Sequence, residues 1–256
     1  MLLDHVVVSR DGDVATITMN RPARRNALSQ AHIDDLLAAF GHVAAGDASG
    51  VVLAGEGPVF SAGHDFGEVS ASDVAGVRKL LTSCAELVQL IESIPQPVVA
   101  RVHGLATAAG CQLVAACDLA VAADTAGFAA PGGKGGWFCH TPMVAISRNV
   151  GRKRAAEIAL TGDSITAAQA LDWGLVNRVV PAESLDDEVR DLLGRATRGS
   201  RRSKAIGKET FYRQLSLPEA EAYELAARVM ADASQIDGAH EGMASFLAKR
   251  HPVWTD

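Results

Sequence analysis

Three things this 256-residue chain lacks narrow its function before anything it contains. It has no excess of basic charge. Its 24 Lys and Arg stand against 30 Asp and Glu, a formal charge of −6, which argues against a nucleic-acid binder because neutralising phosphates takes clustered cations. The one basic cluster, Arg195, Arg198, Arg201, Arg202, Lys204 and Lys208, reads as a solvated helix face. Its four cysteines, Cys84, Cys111, Cys117 and Cys139, form no CxxC pair and have no histidine at ligand spacing. Neither a metal site nor a disulfide framework is therefore expected, and four reduced thiols fit a cytosolic compartment. It also lacks a long apolar run: Arg101, His103 and Asp118 interrupt the stretch 98–123, too polar for a membrane span.

Smaller absences point the same way. Asp4 comes early and no basic segment precedes a long apolar run, which disfavours a secretory signal; no Arg-rich transit peptide precedes the first motif. The expected location is the cytoplasm. The run Gly132-Gly133-Lys134-Gly135-Gly136 is not a phosphate loop, because neither Ser nor Thr follows Lys134.

What is present is a core-forming composition, 48% apolar and 21% charged, enough for one large core. Two β-rich runs, 5–10 and 14–20, meet at Asp11-Gly12 and predict a hairpin. Ser29 is placed to cap a helix whose Ile33, Leu36, Leu37, Phe40 and Val43 recur at helical spacing. A short buried strand is expected at 51–54, a helix over 72–93 ended by Pro95 and Pro97, a strand at 98–102, an Ala-rich helix over 107–116 and a strand at 118–123. Beyond Gly151 helical signals dominate, at 152–160, 167–173, 185–196, 202–215, 218–234 and 238–249. A boundary near residue 198 divides a core, 1–198, from a helical tail, 199–256, with no Ser/Pro linker between them.

Two Gly-containing turns carry the chemistry: Phe60-Ser61-Ala62-Gly63-His64-Asp65-Phe66 and Gly104-Leu105-Ala106-Thr107-Ala108-Ala109-Gly110-Cys111-Gln112. Both are suited to aiming backbone N–H groups, the donors of an oxyanion hole. The first resembles the F-x-A-G-x-D signature of the enoyl-CoA hydratase/isomerase (crotonase) superfamily and the second its G-x-x-x-G-G-G-x-E turn. The likeness extends through Asn20-Arg21-Pro22, Asn26-Ala27-Leu28, Phe128-Ala129-Ala130-Pro131, Thr161-Gly162, Gly174-Leu175-Val176 and the closing Phe246-Leu247-Ala248-Lys249-Arg250. The A-A-G-C-Q turn, the G-x-F-C-x-T-P run and the closing K-R-x-P-V-W further resemble a divergent enoyl-CoA hydratase domain-containing subgroup.

The resemblance implies an α/β fold, a spiral of β-β-α units with a C-terminal helical trimerisation region, assembling as a trimer or dimer of trimers. It implies an acyl-CoA thioester as ligand, with coenzyme A part of the substrate and no permanently bound cofactor. It places the oxyanion donors on the backbone N–H groups of His64 and Ala109. It places Arg24 and Arg25 at the CoA phosphates, Ala62 and His64 along the adenine pocket, and Phe246 and Lys249 of a neighbouring subunit at the same site. The two glutamates of the family's hydratases match Gln112 and Gly132, so both carboxylates are absent. An amide has no useful proton affinity near neutral pH, and losing acid–base catalysis costs about 10²-fold to 10⁴-fold per group.

His140 falls where the superfamily's dienoyl-CoA isomerases place an aspartate, and its imidazole is either a proton carrier for an enolate or a loop histidine packed by Trp137 and Phe138. Cys139 is a nucleophile only with a nearby activating base. Asp65 reads as a helix cap and Asp118 as structural, while Glu68 and Glu86 reach the pocket only if they point inward. Three functions compete: an enzyme acting through a thioester enolate, a binding or regulatory module without turnover, and an assembly subunit using only the helical tail.

Overall fold

In the computed structural model, residues 1–255 are described. The predicted hairpin forms: β1 (Val6–Asp11) pairs antiparallel with β2 (Val14–Met19), and Gly12 at the turn takes φ +59°, a left-handed conformation that glycine adopts without strain. Ser29 caps α1 (Gln30–Ala44), its hydroxyl accepting from the His32 N–H. The chain then repeats strand, strand, helix. First come β3 (Gly50–Gly55), β4 (Val59–Ser61), the short α2 (Phe66–Ala71) and the long α3 (Val74–Ser93). Next are β5 (Val98–Val102), β6 (Leu105–Thr107) and α4 (Ala109–Ala116). The third turn holds β7 (Leu119–Ala123), β8 (Gly127–Ala129), α5 (His140–Val150) and α6 (Arg152–Thr161). After β9 (Ile165–Thr166), α7 (Ala167–Trp173) and β10 (Arg178–Val180), the chain ends in helices α8 (Leu185–Ala196), α9 (Arg201–Gln214), α10 (Glu219–Ala233) and α11 (Asp237–Leu247).

Each turn of the spiral places one strand in each of two sheets. The large sheet runs β1-β2-β3-β5-β7-β10, parallel except for the hairpin; the small one runs β4-β6-β8-β9, parallel except at β9. Strand β3 is buried along its whole length because both faces are covered. Val51 and Leu53 face the main core with α1 and α3, whereas Val52 and Ala54 join Val99, Val121 and Ala123 under Leu185, Val189 and Leu193 of α8. Alternation along a strand thus feeds two apolar layers from one sheet.

Helix α9 docks on the core through a buried polar knot. Lys208 Nζ donates to the Ile91 and Gln96 carbonyls and to Asp118 Oδ2 at 2.7 Å, and the Tyr212 hydroxyl donates to Asp118 Oδ1. Asp118 is structural, as expected. Lys208 is not part of a solvated basic face: its ammonium is paired inside, and burial pushes its pKa below the usual lysine value despite Asp118. No helix among the described residues is long and apolar enough to cross a membrane.

Candidate active site

Three adjacent strands of the small sheet end side by side, and each delivers one wall of a cavity. β4 runs into Ala62 and His64, β6 into Thr107 and Ala108, and β8 into the segment from Pro131 to Pro142; together with Phe66 and Leu81 they enclose about 410 Å³. Ligands of parallel α/β sheets gather at such carboxyl ends.

The first turn is braced by the Asn26 segment. Asn26 is fully buried; its amide nitrogen donates to the Glu56, Val59 and Phe60 carbonyls, and its side-chain oxygen accepts from the Arg21 N–H. Leu28 then pins the turn from one side, donating its N–H to Gly63 O at 2.8 Å while its carbonyl accepts from the Asp65 N–H at 3.1 Å. Amides of an extended chain alternate in direction, so this bracket leaves the His64 N–H on the opposite edge. Asp65 caps α2 through the Gly67 N–H and pairs with Arg24 at 3.2 Å and Arg21 at 3.5 Å. Burial pushes its carboxyl up, but these guanidiniums and the Gly67 N–H outweigh that and hold it below the usual aspartate value.

The second turn is a strained one. Ala108 sits at φ 51°, ψ −118°, a conformation natural to glycine, and this break ends β6 and starts α4 at Ala109 rather than at the expected Thr107. The Ala109 N–H, first in its helix, has no intrahelical acceptor. Among the described residues neither it nor the His64 N–H donates to the protein. The two turns touch: a side chain on Gly63 would come within 2.9 Å of the Thr107 carbonyl oxygen and 3.2 Å of the Ala109 nitrogen, and one on Gly110 would collide with the Ser61 carbonyl. Glycine at both positions is what allows the approach.

The remaining candidates fall in different places. Gln112 is buried one turn into α4, its oxygen 4.0 Å from the Cys84 thiol, and it does not line the cavity. Gly132 lines it but is sealed: an added Cβ would lie far inside contact distance of the Trp137 carbonyl oxygen and 2.7 Å from Cys139 Sγ. The loop closes on itself there, with Trp137 N–H donating to Gly132 O and Gly132 N–H to Cys139 Sγ.

His140 is neither packed away nor in a loop: it opens α5, is exposed, lines the cavity and tilts against the Phe138 ring at 5.0 Å. Burial pushes the Cys139 thiol up, which opposes a nucleophilic role. Glu68 accepts from the Gln30 N–H and is committed to the start of α1. Arg24 is shared with Asp65; Arg25 is exposed in a left-handed conformation. Phe246 (83% exposed) and Lys249 stand on the surface at the end of α11. Among the described residues no group of three His, Cys, Asp or Glu could hold a metal ion.

Sequence reasoning named Trp137 and His64 but did not place either ring in the cavity wall. Trp137 packs its ring against Phe66 and, at 6.2 Å, against the imidazole of His64. That imidazole is itself unexpected: both ring nitrogens are buried with no hydrogen-bond partner. Burial pushes its pKa down, opposed in part by the nearby Leu28 backbone, although no contact of either nitrogen is short and aligned enough for a hydrogen bond. A histidine in a glycine turn gives no sign in sequence of where its ring will lie.

Two sheets wound by a repeated β-β-α unit, with a cavity at the strand ends of the smaller, define a crotonase fold. The enoyl-CoA hydratase/isomerase family model matches residues 9–256, and the chain belongs to that family. It is 43% identical over 248 residues to the mitochondrial enoyl-CoA hydratase domain-containing protein 3 of Rattus norvegicus, covering 96% of this chain and 82% of that protein, and 41% identical over 244 residues to the Homo sapiens protein of the same name. Among solved structures, an enoyl-CoA hydratase from Mycobacterium smegmatis superposes with a TM-score of 0.96 at 45% identity, over 99% of this chain and 100% of that one. Human enoyl-CoA hydratase domain-containing protein 3 gives 0.92 at 39%, over 98% and 100%.

Proposed function

We propose that this protein binds acyl-CoA thioesters and stabilises the enolate of the acyl group without being an efficient hydratase. The observation that carries this reading is the Leu28 bracket, which leaves the His64 N–H unpaired beside the Ala109 N–H at the start of α4. Two preorganised donors on one oxygen are suited to negative charge developing on a thioester carbonyl, each worth about 3–4 kcal/mol of barrier. A proton leaves C2 for His140, its electron pair moves to the carbonyl oxygen held by the two N–H groups, and the proton returns to carbon.

Hydration needs a carboxylate to hold and deprotonate water, and the two matching positions do not supply one. Gln112 faces Cys84, and Gly132 lies under the Trp137 carbonyl. The same two facts favour a second reading, a binding or regulatory protein that keeps the CoA site without turnover.

CoA itself is held, in this proposal, by Arg24 and Arg25 at its phosphates and by the backbone of Ala62 and His64 along the adenine. Phe246 and Lys249 of a neighbouring copy complete the site. Their exposure, and that of Phe211, Leu215, Tyr223 and Met230 on the tail helices, fits a homotrimer or dimer of trimers built by residues 199–256 on the core 1–198. Four unpaired cysteines suit a reducing cytosol. Isothermal calorimetry with butyryl-CoA and butyryl-pantetheine tests the ligand. Butyryl-CoA binds more tightly, and Lys249→Ala weakens only the CoA form; equal weakening of both would assign Lys249 to assembly instead.

A further inference from the structure

The His64 side chain has no place in that scheme, which uses only its backbone. Its environment is nevertheless unusual. The residue is 8% exposed, and neither ring nitrogen has a partner, although buried polar atoms are nearly always paired. The cavity wall around it is otherwise largely apolar: Ala62, Phe66, Leu81, Trp137, Phe138 and Pro142. An imidazole with no structural hydrogen bond to make destabilises the fold that carries it. Such a group is retained without structural benefit only if something outside the chain supplies its partner.

The seal over His64 is of a kind that yields. Trp137, whose ring stands tilted against the imidazole, follows Gly132-Gly133-Lys134-Gly135-Gly136, and Gly136 adopts φ +87° with nothing near its missing side chain. Phe66, the other ring against Trp137, is mostly exposed.

We propose that the His64 imidazole reads an oxygen substituent on the acyl group close to the thioester, a hydroxyl or keto group, once the ligand displaces Trp137 on its glycine hinge. This rests on the thioester-binding reading above. The ring belongs to the same residue whose N–H is aimed at the thioester oxygen, so it serves the first carbons of the acyl chain and not its far end. Burial keeps the imidazole neutral, with one nitrogen donating and the other accepting. It can therefore meet a hydroxyl through either atom and a keto group through its N–H.

The test compares 3-hydroxybutyryl-CoA with butyryl-CoA, and free CoA as reference, by calorimetry on the wild type, His64→Leu and His64→Asn. The wild type prefers the hydroxylated ligand by at least tenfold; His64→Leu abolishes the preference, read as the ratio of the two acyl-CoA affinities, and His64→Asn, which keeps a donor and an acceptor, restores part of it. His64→Leu also raises the melting temperature of the free protein, because it removes two unsatisfied nitrogens, whereas a histidine with a purely structural role would lower it. With Trp173 and Trp254 replaced by Phe, the remaining Trp137 emission shifts on adding 3-hydroxybutyryl-CoA. Equal affinities for the two acyl ligands in the wild type, or an undiminished preference in His64→Leu, would overturn the proposal. Failure of all three CoA ligands to bind the wild type would instead overturn the thioester reading beneath it.

Discussion

The Trp137 carbonyl oxygen fills the space that a side chain at Gly132 would enter, and Cys139 Sγ closes it from the other side. Inserting a carboxylate here is therefore not a local change. Gly132→Glu, alone or with Gln112→Glu, forces the loop apart and costs about 1–3 kcal/mol of stability, as overpacking does. We expect a lower melting temperature and no gain in crotonyl-CoA hydration. A double variant that hydrates well at unchanged stability would show that a side chain at position 132 is accommodated without overpacking.

Ala108 stores backbone strain where glycine would carry none. The conformation costs about 1–3 kcal/mol, while the extra unfolded-state freedom of glycine returns about 0.5–1 kcal/mol of that. Ala108→Gly should therefore stabilise the protein by about 1 kcal/mol, a rise of about 2–4 °C for a chain of this size. Calorimetric melting measures it, and a fall would mean that the Ala108 methyl contributes more packing than its backbone loses.

His32 sets an acid limit on stability. Burial, opposed in part by its contact with the Ala27 carbonyl, lowers its pKa to about 4. Between about pH 6.5 and 4 the unfolded chain binds a proton that the folded one does not, so stability present above pH 6.5 is lost as pH falls, by about 3 kcal/mol in all. Denaturant titrations across this range should show the loss, and His32→Asn should flatten it. An identical slope in the variant would assign the acid sensitivity elsewhere.

Much of the scaffold was legible because its signals are local: the Asp11-Gly12 turn, the Ser29 cap, the apolar stripes of α1 and α3, and the Pro95 and Pro97 stop. The small sheet was not, since β4, β6 and β8 are three residues each, too short for alternation to register. Helix α5 was hidden behind His140-Thr141-Pro142, which reads as loop although a proline in a first helical turn forfeits no intrahelical bond. At the site, the glycines announced both backbone turns. The direction of Gln112, the closure over Gly132 and the sealed His64 ring depend on contacts between segments far apart in sequence, and no local pattern encodes them.

The tail should hold copies of the chain together. Phe246, 83% exposed, and Leu247, 81% exposed, end α11 beside other uncovered apolar side chains, more than an isolated helical surface usually carries. Light scattering at micromolar concentration should report a trimer or hexamer, and Phe246→Asp should weaken both assembly and CoA binding. A wild-type monomer that binds CoA normally would separate the site from assembly.

Enolate stabilisation without efficient hydration is decided by one paired measurement. Butyryl-CoA is incubated in deuterium oxide with wild type and with His140→Gln, exchange at C2 is followed by mass spectrometry, and crotonyl-CoA hydration is assayed on the same samples. The wild type should exchange, His140→Gln should lose exchange with CoA affinity nearly intact, and hydration should lie at least about 10²-fold below ordinary turnover of roughly 10–10³ per second. Ordinary hydration rates, or thioester binding with no exchange at C2, would contradict this reading.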